Sequence, residues 1–305
     1  LGQALVKLGE KNENVVVLDA DVSTSTRTIF FHNRFPDRFF NCGIAEGSMI
    51  DIAAGLSLVG KIPFASTFSS LASLRALEQI RTSIAYPKLN VKIAGGYGGL
   101  SDFKDGPTHH SICDLSIIRS LPNMTLIVPA DAIETEKAVY AAAEYEGPVY
   151  LRLSRAEVPV VFDENYKMEI GKGNLLKEGR DVTIIATGIM VARALEAAKL
   201  LESEEKIDVR VIEIHTLKPI DVDIIIQAAE ETGAIVTAEE HSIIGGLAGA
   251  VAEVIVENKP VPIERVGIKD TFTESGQYDD LLEKYGMGVS HIIKAARTAL
   301  KRKNC

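Results

Sequence analysis

Asn41-Cys42-Gly43-Ile44-Ala45-Glu46-Gly47-Ser48-Met49 joins two periodicities. The residues just before the turn, 38–42, are short and aromatic, with the character of a strand. Those after it, 46–59, carry an apolar face and read as a buried helix. Glu46 stands at the junction, among Ile44, Ala45, Met49, Ile50 and Ala53. A carboxylate in such company is poorly solvated, and its pKa is expected to rise. Charged side chains are seldom buried without a partner, which makes Glu46 a candidate functional group. The plainer reading is an acid in a helix's first turn, favoured there by the macrodipole.

The same strand–helix unit recurs outward from this stretch. Residues 14–20 read as a strand ending in Asp19 and Asp21, and 62–66, 90–94, 124–128 and 149–153 read as others. Helical patterns occupy 70–86 and 132–145, the latter with Asp131 as N-cap. Residues 156–180, with Pro159, Gly171, Gly173 and Gly179, break the rhythm and read as a linker. Alternation then resumes, with strands at 182–186, 209–214, 234–238 and 263–266 and helices at 191–201, 221–231 and 246–256. Strands alternating with helices imply parallel sheets covered by helices. The expected fold class is α/β: two consecutive three-layer domains, each with a mostly parallel sheet covered by helices. The domains are expected at 1–158 and 181–305, joined by a linker at 159–180.

Composition sets the outer bounds. The chain has 305 residues, 46% apolar and 25% charged, as expected of a globular protein with real cores. Its formal net charge is −9, and its basic residues cluster only at Lys301, Arg302 and Lys303. This argues against a nucleic-acid or membrane partner. No apolar run reaches the roughly 18 residues of a membrane span, and no signal peptide is read. Cys42, Cys113 and Cys305 are far apart and without metal-ligand spacing, which fits a reducing, cytoplasmic setting. Leu1 already lies in a helical pattern, so further N-terminal residues are expected to precede it.

Four other groupings carry chemistry. Pro63-Phe64-Ala65-Ser66-Thr67-Phe68 ends a strand, where open α/β sheets bind ligands; Phe68 either offers a flat face to a ring or belongs to the core. Asp105-Gly106-Pro107-Thr108-His109-His110 places two histidines and an acid on one loop. Adjacent histidines seldom reach one ion together, so acid–base or hydrogen-bonding work on a polar substrate is expected instead. In Leu151-Arg152-Leu153-Ser154-Arg155 the last residue falls just past a strand, either clamping a phosphate or carboxylate or making a surface ion pair. Asp21, followed by Ser23, Thr24, Ser25 and Thr26, is an N-cap or a ligand contact. No Walker-type phosphate loop or Gly-x-Ser-x-Gly elbow occurs, and Gly95-Gly96-Tyr97-Gly98-Gly99 lacks dinucleotide spacing.

In order and spacing these motifs resemble the thiamine diphosphate enzymes, most closely transketolase. Gly43-Ile44-Ala45-Glu46, the Pro63–Phe68 string, Asp105–His109, Leu153-Ser154-Arg155, and Glu239-Glu240-His241 with Gly245-Gly246-Leu247 carry the resemblance across the whole chain. It extends only to the second half of a full-length transketolase. The diphosphate-binding domain, with its Gly-Asp-Gly motif and metal ligands, has no counterpart. The resemblance therefore implies the C-terminal subunit of a split transketolase, with a thiamine pyrimidine-binding domain and a transketolase C-terminal domain. It implies a separate N-terminal, diphosphate-binding partner subunit that ligates Mg2+ or Ca2+, with this chain supplying no metal ligand. It also implies self-dimerisation within an α2β2 heterotetramer, and transfer of a two-carbon ketol unit between sugar phosphates.

Roles follow residue by residue. Glu46 is implied to hydrogen-bond the cofactor's aminopyrimidine ring nitrogen, Phe68 to stack on that ring, and Asp21 to lie near the thiazolium, with Ile44 also at the cofactor. His109 and Asp105 are implied to contact the sugar's hydroxyls and carbonyl, and Arg155 with Ser25 to hold its phosphate. The sequence also departs from the family. Gly47 follows the glutamate, Leu71 and Leu74 replace pocket aromatics, Tyr97 stands for a substrate-facing histidine, and Phe103-Lys104 replaces Gly-Glu. These changes bear on which sugar is used. Two other readings share the architecture: the β subunit of a 2-oxoacid dehydrogenase decarboxylase, and a non-catalytic relative of transketolase.

Overall fold

Val15–Asp19 is five consecutive buried residues, and a strand without an exposed face must be covered on both sides. The computed structural model, which describes residues 1–303, shows how. Cys305 lies outside the described residues. The strands in chain order are β1 (Val15–Asp19), β2 (Phe39–Asn41), β3 (Ile62–Phe68), β4 (Lys92–Gly96), β5 (Thr125–Ile127), β6 (Val149–Arg152), β7 (Asn174–Lys177), β8 (Val182–Ala186), β9 (Val209–Glu213), β10 (Thr216–Lys218), β11 (Ile235–Ser242) and β12 (Ile263–Ile268).

The first sheet runs β10-β5-β6-β4-β3-β1-β2 and the second β12-β11-β8-β9-β7. All pairings are parallel except β10 with β5 and β7 with β9. Along β1, alternate side chains enter different cores. Val16 and Leu18 pack with Met49 and Ile50 of the helix Glu46–Leu58, while Val15 and Val17 pack with Leu5, Phe31 and Val139 on the opposite face. This is the expected three-layer arrangement. Each fully buried aliphatic side chain contributes about 1.5–3 kcal/mol. The second sheet is built alike, with Val182 and Ile184 against Ala194, Ala198 and Leu201 of the helix Met190–Glu205. Two helix starts are fixed as expected: Asp131 accepts from the Glu134 N–H at 2.8 Å and Asp221 from the Ile224 N–H at 3.4 Å.

Three local features differ from the sequence reading. Residues 70–86 do not form one regular helix. Wide i→i+5 turns span Leu71–Arg75 and Ile80–Ala85, separated by Leu77–Gln79. The Ser73 hydroxyl donates to the Ser69 carbonyl at 2.7 Å, a back-bond of the kind that distorts helices. The stretch read as a linker contains β7, which closes an edge of the second sheet. Finally, β10 comes from the second half of the chain yet extends the first sheet. Three residues are too few to show a period. Among the described residues, no helix is long and apolar enough to cross a membrane.

Because β1, β2, β3, β4 and β6 are parallel, their carboxyl ends share one edge. The register sets Asp19 beside Asn41 and Ser66, Phe68 beside Gly96, and Gly95 beside Arg152. Strand order reverses at β1, which has β2 on one side and β3 on the other. Open α/β sheets bind ligands outside such a switch point.

Candidate active site

At this edge β2 turns into the helix Glu46–Leu58. Asn41 shapes the turn: its side-chain oxygen accepts from the Gly43 N–H at 2.9 Å and its amide donates to Asp21 at 2.9 Å. Gly43 takes a φ of +70°, where a side chain would be strained. The turn leaves Ile44 76% exposed and carries Glu46 inward to 1% exposure. Glu46 has a charged partner, as expected of a buried acid. Arg75 Nη1 lies 3.0 Å from both its carboxylate oxygens. Arg75 ends the first wide turn of the irregular segment, so the distortion there delivers the arginine.

Asp21 is not an N-cap. It is exposed, has a φ of +65° and is tied to Asn41. The capping bonds go to Asp19, which accepts from the Val22 N–H at 2.6 Å and from the Thr26 and Thr28 hydroxyls at 3.1 and 2.8 Å. Burial pushes its carboxyl above the usual range despite these donors.

Phe68 is only half-buried at the end of β3, so it is not a core ring. Its centroid lies 4.5 Å from Tyr97 and 6.1 Å from His109, and the three rings form one continuous aromatic group. The Arg155 guanidinium sits 5.0 Å from the Tyr97 centroid and 5.5 Å from that of Phe103. Arg155 also meets Asp102 at 3.3 Å, so its partner is a fully buried acid rather than a surface one. Asp105 is exposed on the same loop. The two histidines diverge. His109 Nδ1 faces the Thr108 hydroxyl at 3.0 Å, whereas His110 is buried between Thr273 and the Asp102 carbonyl.

Ser25, Arg27, Tyr97, Ser154 and Arg155 line a cavity of about 1000 Å³ that runs along the ends of β4 and β6. The glycine-rich loop, whose Gly96 and Tyr97 line this cavity, fits tightly against the second domain. Gly99 has a φ of +62°, and a Cβ there would strike the Glu240 carboxyl. Glu240 accepts from the Leu100 N–H at 2.8 Å and the Tyr278 hydroxyl at 2.9 Å. Arg152, 4% exposed, bridges Asp114 at 3.3 Å and Glu240 at 3.8 Å.

Two site residues escaped the sequence reading. Arg75 was hidden by the expectation of a regular helix. Asp102 gave only a weak signal, an acid three residues before Asp105. It is fully buried, and its Oδ2 has no hydrogen-bond partner. Burial, then the nearby Asp105, push its pKa up to about 6.

Two family models match successive parts of the chain. The pyrimidine-binding domain of transketolase matches residues 1–161, and the transketolase C-terminal domain matches residues 171–292. A putative transketolase C-terminal section from Methanocaldococcus jannaschii is 47% identical over 99% of this chain and 95% of its own length. A 6-deoxy-6-sulfo-D-fructose transketolase subunit from Clostridium sp. is 43% identical over 98% of this chain and 93% of its own. A subunit of apulose-4-phosphate transketolase from Phocaeicola vulgatus is 38% identical over 98% of this chain and 95% of its own. A solved structure described as a split gene transketolase, inactive beta4 tetramer, superposes with a TM-score of 0.90 at 54% identity, covering 99% of this chain and 97% of that one.

Proposed function

Since the chain belongs to the transketolase family, we propose that it is the C-terminal subunit of an enzyme that moves a two-carbon ketol unit from a ketose to an aldose, using thiamine diphosphate. The observation that carries this reading is Glu46: a carboxylate 1% exposed, at the start of a helix, on the edge of the sheet that also presents Phe68. A planar, nitrogen-bearing ring needs one buried hydrogen-bonding group and one aromatic face, and these residues fit it.

When bound, the cofactor supplies the carbanion chemistry, which no side chain can provide. Glu46 would hydrogen-bond the ring nitrogen through one carboxyl oxygen, and the group's remaining acceptor capacity lets Arg75 stay paired. Phe68 positions the ring by its face. Ile44 and Asp21 border the cofactor from the turns after β2 and β1. His109 and Asp105 bind the sugar's hydroxyls and carbonyl, and Tyr97 bounds the sugar's side of the ring group. Arg155 and Ser25 hold an anionic end group in the cavity. Two relatives support an anionic substrate by name, one for a sulfonated ketose and one for a ketose phosphate.

In this reading residues 1–158 hold the pyrimidine, residues 181–305 form the C-terminal domain, and the diphosphate with its Mg2+ or Ca2+ is held by a separate N-terminal subunit. Several large apolar side chains on the Glu46–Leu58 helix and the segment packed on it support such a partner. Ile52, Leu58, Leu74 and Tyr86 are all exposed. Large apolar side chains left exposed on two segments that pack together fit a surface covered by a partner. The assembly is a heterotetramer in which this chain also pairs with itself, in the cytoplasm.

The test is reconstitution with the N-terminal subunit, thiamine diphosphate and Mg2+, followed by assay of ketol transfer from phosphorylated and sulfonated ketoses. Transfer is expected, and Glu46→Ala should lower turnover by about 10²–10⁴, the range of a general acid–base group. An assembled complex that is inert across the panel, or indifferent to Glu46→Ala, overturns the reading.

A further inference from the structure

Away from the edge that carries Glu46, three buried donors converge where the two domains meet. Glu134 belongs to the helix Ala132–Glu144 of the first domain, Glu213 ends β9 of the second, and His215 precedes β10. One ligand atom from each lies within 4.8 Å of the others, and none of the three side chains exceeds 1% exposure.

Their other contacts are neutral donors. Glu134 accepts from the Tyr166 hydroxyl at 2.7 Å and the Ala130 N–H at 2.6 Å. Glu213 Oε2 accepts from the Asn174 amide at 2.7 Å, while its Oε1 is buried without a hydrogen-bond partner. His215 Nδ1 faces the Thr216 hydroxyl at 2.8 Å. Two carboxylates this close and this dry cannot both keep their charge without a cation between them. A shared proton removes one charge and leaves His215 without a part. A divalent ion neutralises both and employs all three donors.

We propose that Glu134, Glu213 and His215 form a divalent-metal site that staples the two domains together. Two carboxylate oxygens and one imidazole nitrogen suit Zn2+, Mn2+ or Co2+ better than Mg2+ or Ca2+, which favour oxygen alone. Tetrahedral bonds of about 2.0–2.2 Å set donor atoms roughly 3.4 Å apart, so an ion would shorten the present separations, all within 4.8 Å, by no more than about 1.4 Å. Tyr166, Asn174 and Thr216 already orient the ligands from outside, as metal sites require. The site is independent of any ion held with a diphosphate on a partner subunit.

The full chain, purified alone and stripped with a chelator, is titrated calorimetrically with Zn2+ and then Mn2+, and its metal content is measured by mass spectrometry. One tight equivalent per chain is expected, together with a raised thermal midpoint. Glu213→Gln and His215→Gln should each weaken binding at least tenfold with unchanged circular dichroism. His291→Ala, which removes a half-buried histidine beside Glu283, should leave the tight equivalent in place. No tight equivalent, or one indifferent to both ligand variants, overturns the proposal. So does an infrared band of a shared carboxyl proton at neutral pH that persists with metal present and disappears in Glu213→Gln. Because no thiamine cofactor or partner subunit is present, failure here leaves the ketol-transfer reading untouched.

Discussion

Arg75 holds Glu46 by a single guanidinium nitrogen, Nη1, 3.0 Å from each carboxylate oxygen. The acid is 1% exposed and the arginine side chain 54%. The pair therefore bridges interior and solvent, and its strength is cut by screening on the arginine's side. Arg75→Ala should lower the urea midpoint of the lone chain, and adding Glu46→Gln should recover part of the loss. The coupling from the double-mutant cycle is expected to be on the order of 1 kcal/mol. A coupling of zero would show that the contact does not form in solution.

Asp102 makes a pH prediction with a definite sign. Its carboxyl ordinarily titrates at 3.8 and in the fold at about 6. Between those values the folded chain keeps a proton that the unfolded chain releases, so stability falls as pH rises through the window, and the whole cost is present above it. Asp102→Asn should flatten that segment of the stability curve. The gap between parent and variant should change by on the order of 1–3 kcal/mol between about pH 4 and pH 6. Urea denaturation across that range measures it, and parallel curves would rule the effect out.

Arg155 should matter to substrates by their charge. Arg155→Met is expected to raise KM for an anionic ketose about tenfold or more in the reconstituted enzyme, as for loss of a charge-assisted hydrogen bond of about 1.5–3 kcal/mol. An uncharged ketose should show little change in KM. Equal losses for both substrates would place Arg155 in the fold rather than at the anion.

Arg152 lies between two buried acids from different parts of the chain, Asp114 and Glu240. Arg152→Met leaves both uncompensated and should cost about 3–5 kcal/mol in unfolding free energy. Replacing all three with apolar residues should cost much less. Thermal or urea unfolding of the single and triple variants decides this, and equal losses would contradict the electrostatic account.

Much of this architecture was legible because the alternation of strands and helices is carried by local side-chain period. Burial at Glu46 was legible for the same reason, since its apolar neighbours lie within one helical turn or two. What escaped depends on distance along the chain. Arg152 meets Glu240 across 88 positions, and no local pattern signals that a strand-end arginine will be enclosed by another domain. Arg75 reaches Glu46 through wide turns that an amphipathic pattern does not distinguish from a regular helix. Asp102 is buried by the close fit of its loop, with Arg155 from beyond β6 on its carboxylate and His110 on its backbone carbonyl.

The antiparallel pairing of Thr216 and Lys218 with Ile127 and Leu126 gives β5 its outer neighbour. Lys218 also reaches back to the carbonyls of Arg119 and Leu121. A module boundary drawn along the sequence is thus not one drawn along hydrogen bonds. Severed near the linker, the first half would present a bare strand edge to its own copies, an invitation to fibrous association. The two halves therefore fold as partners: separating them uncovers the edge of β5 that β10 occupies.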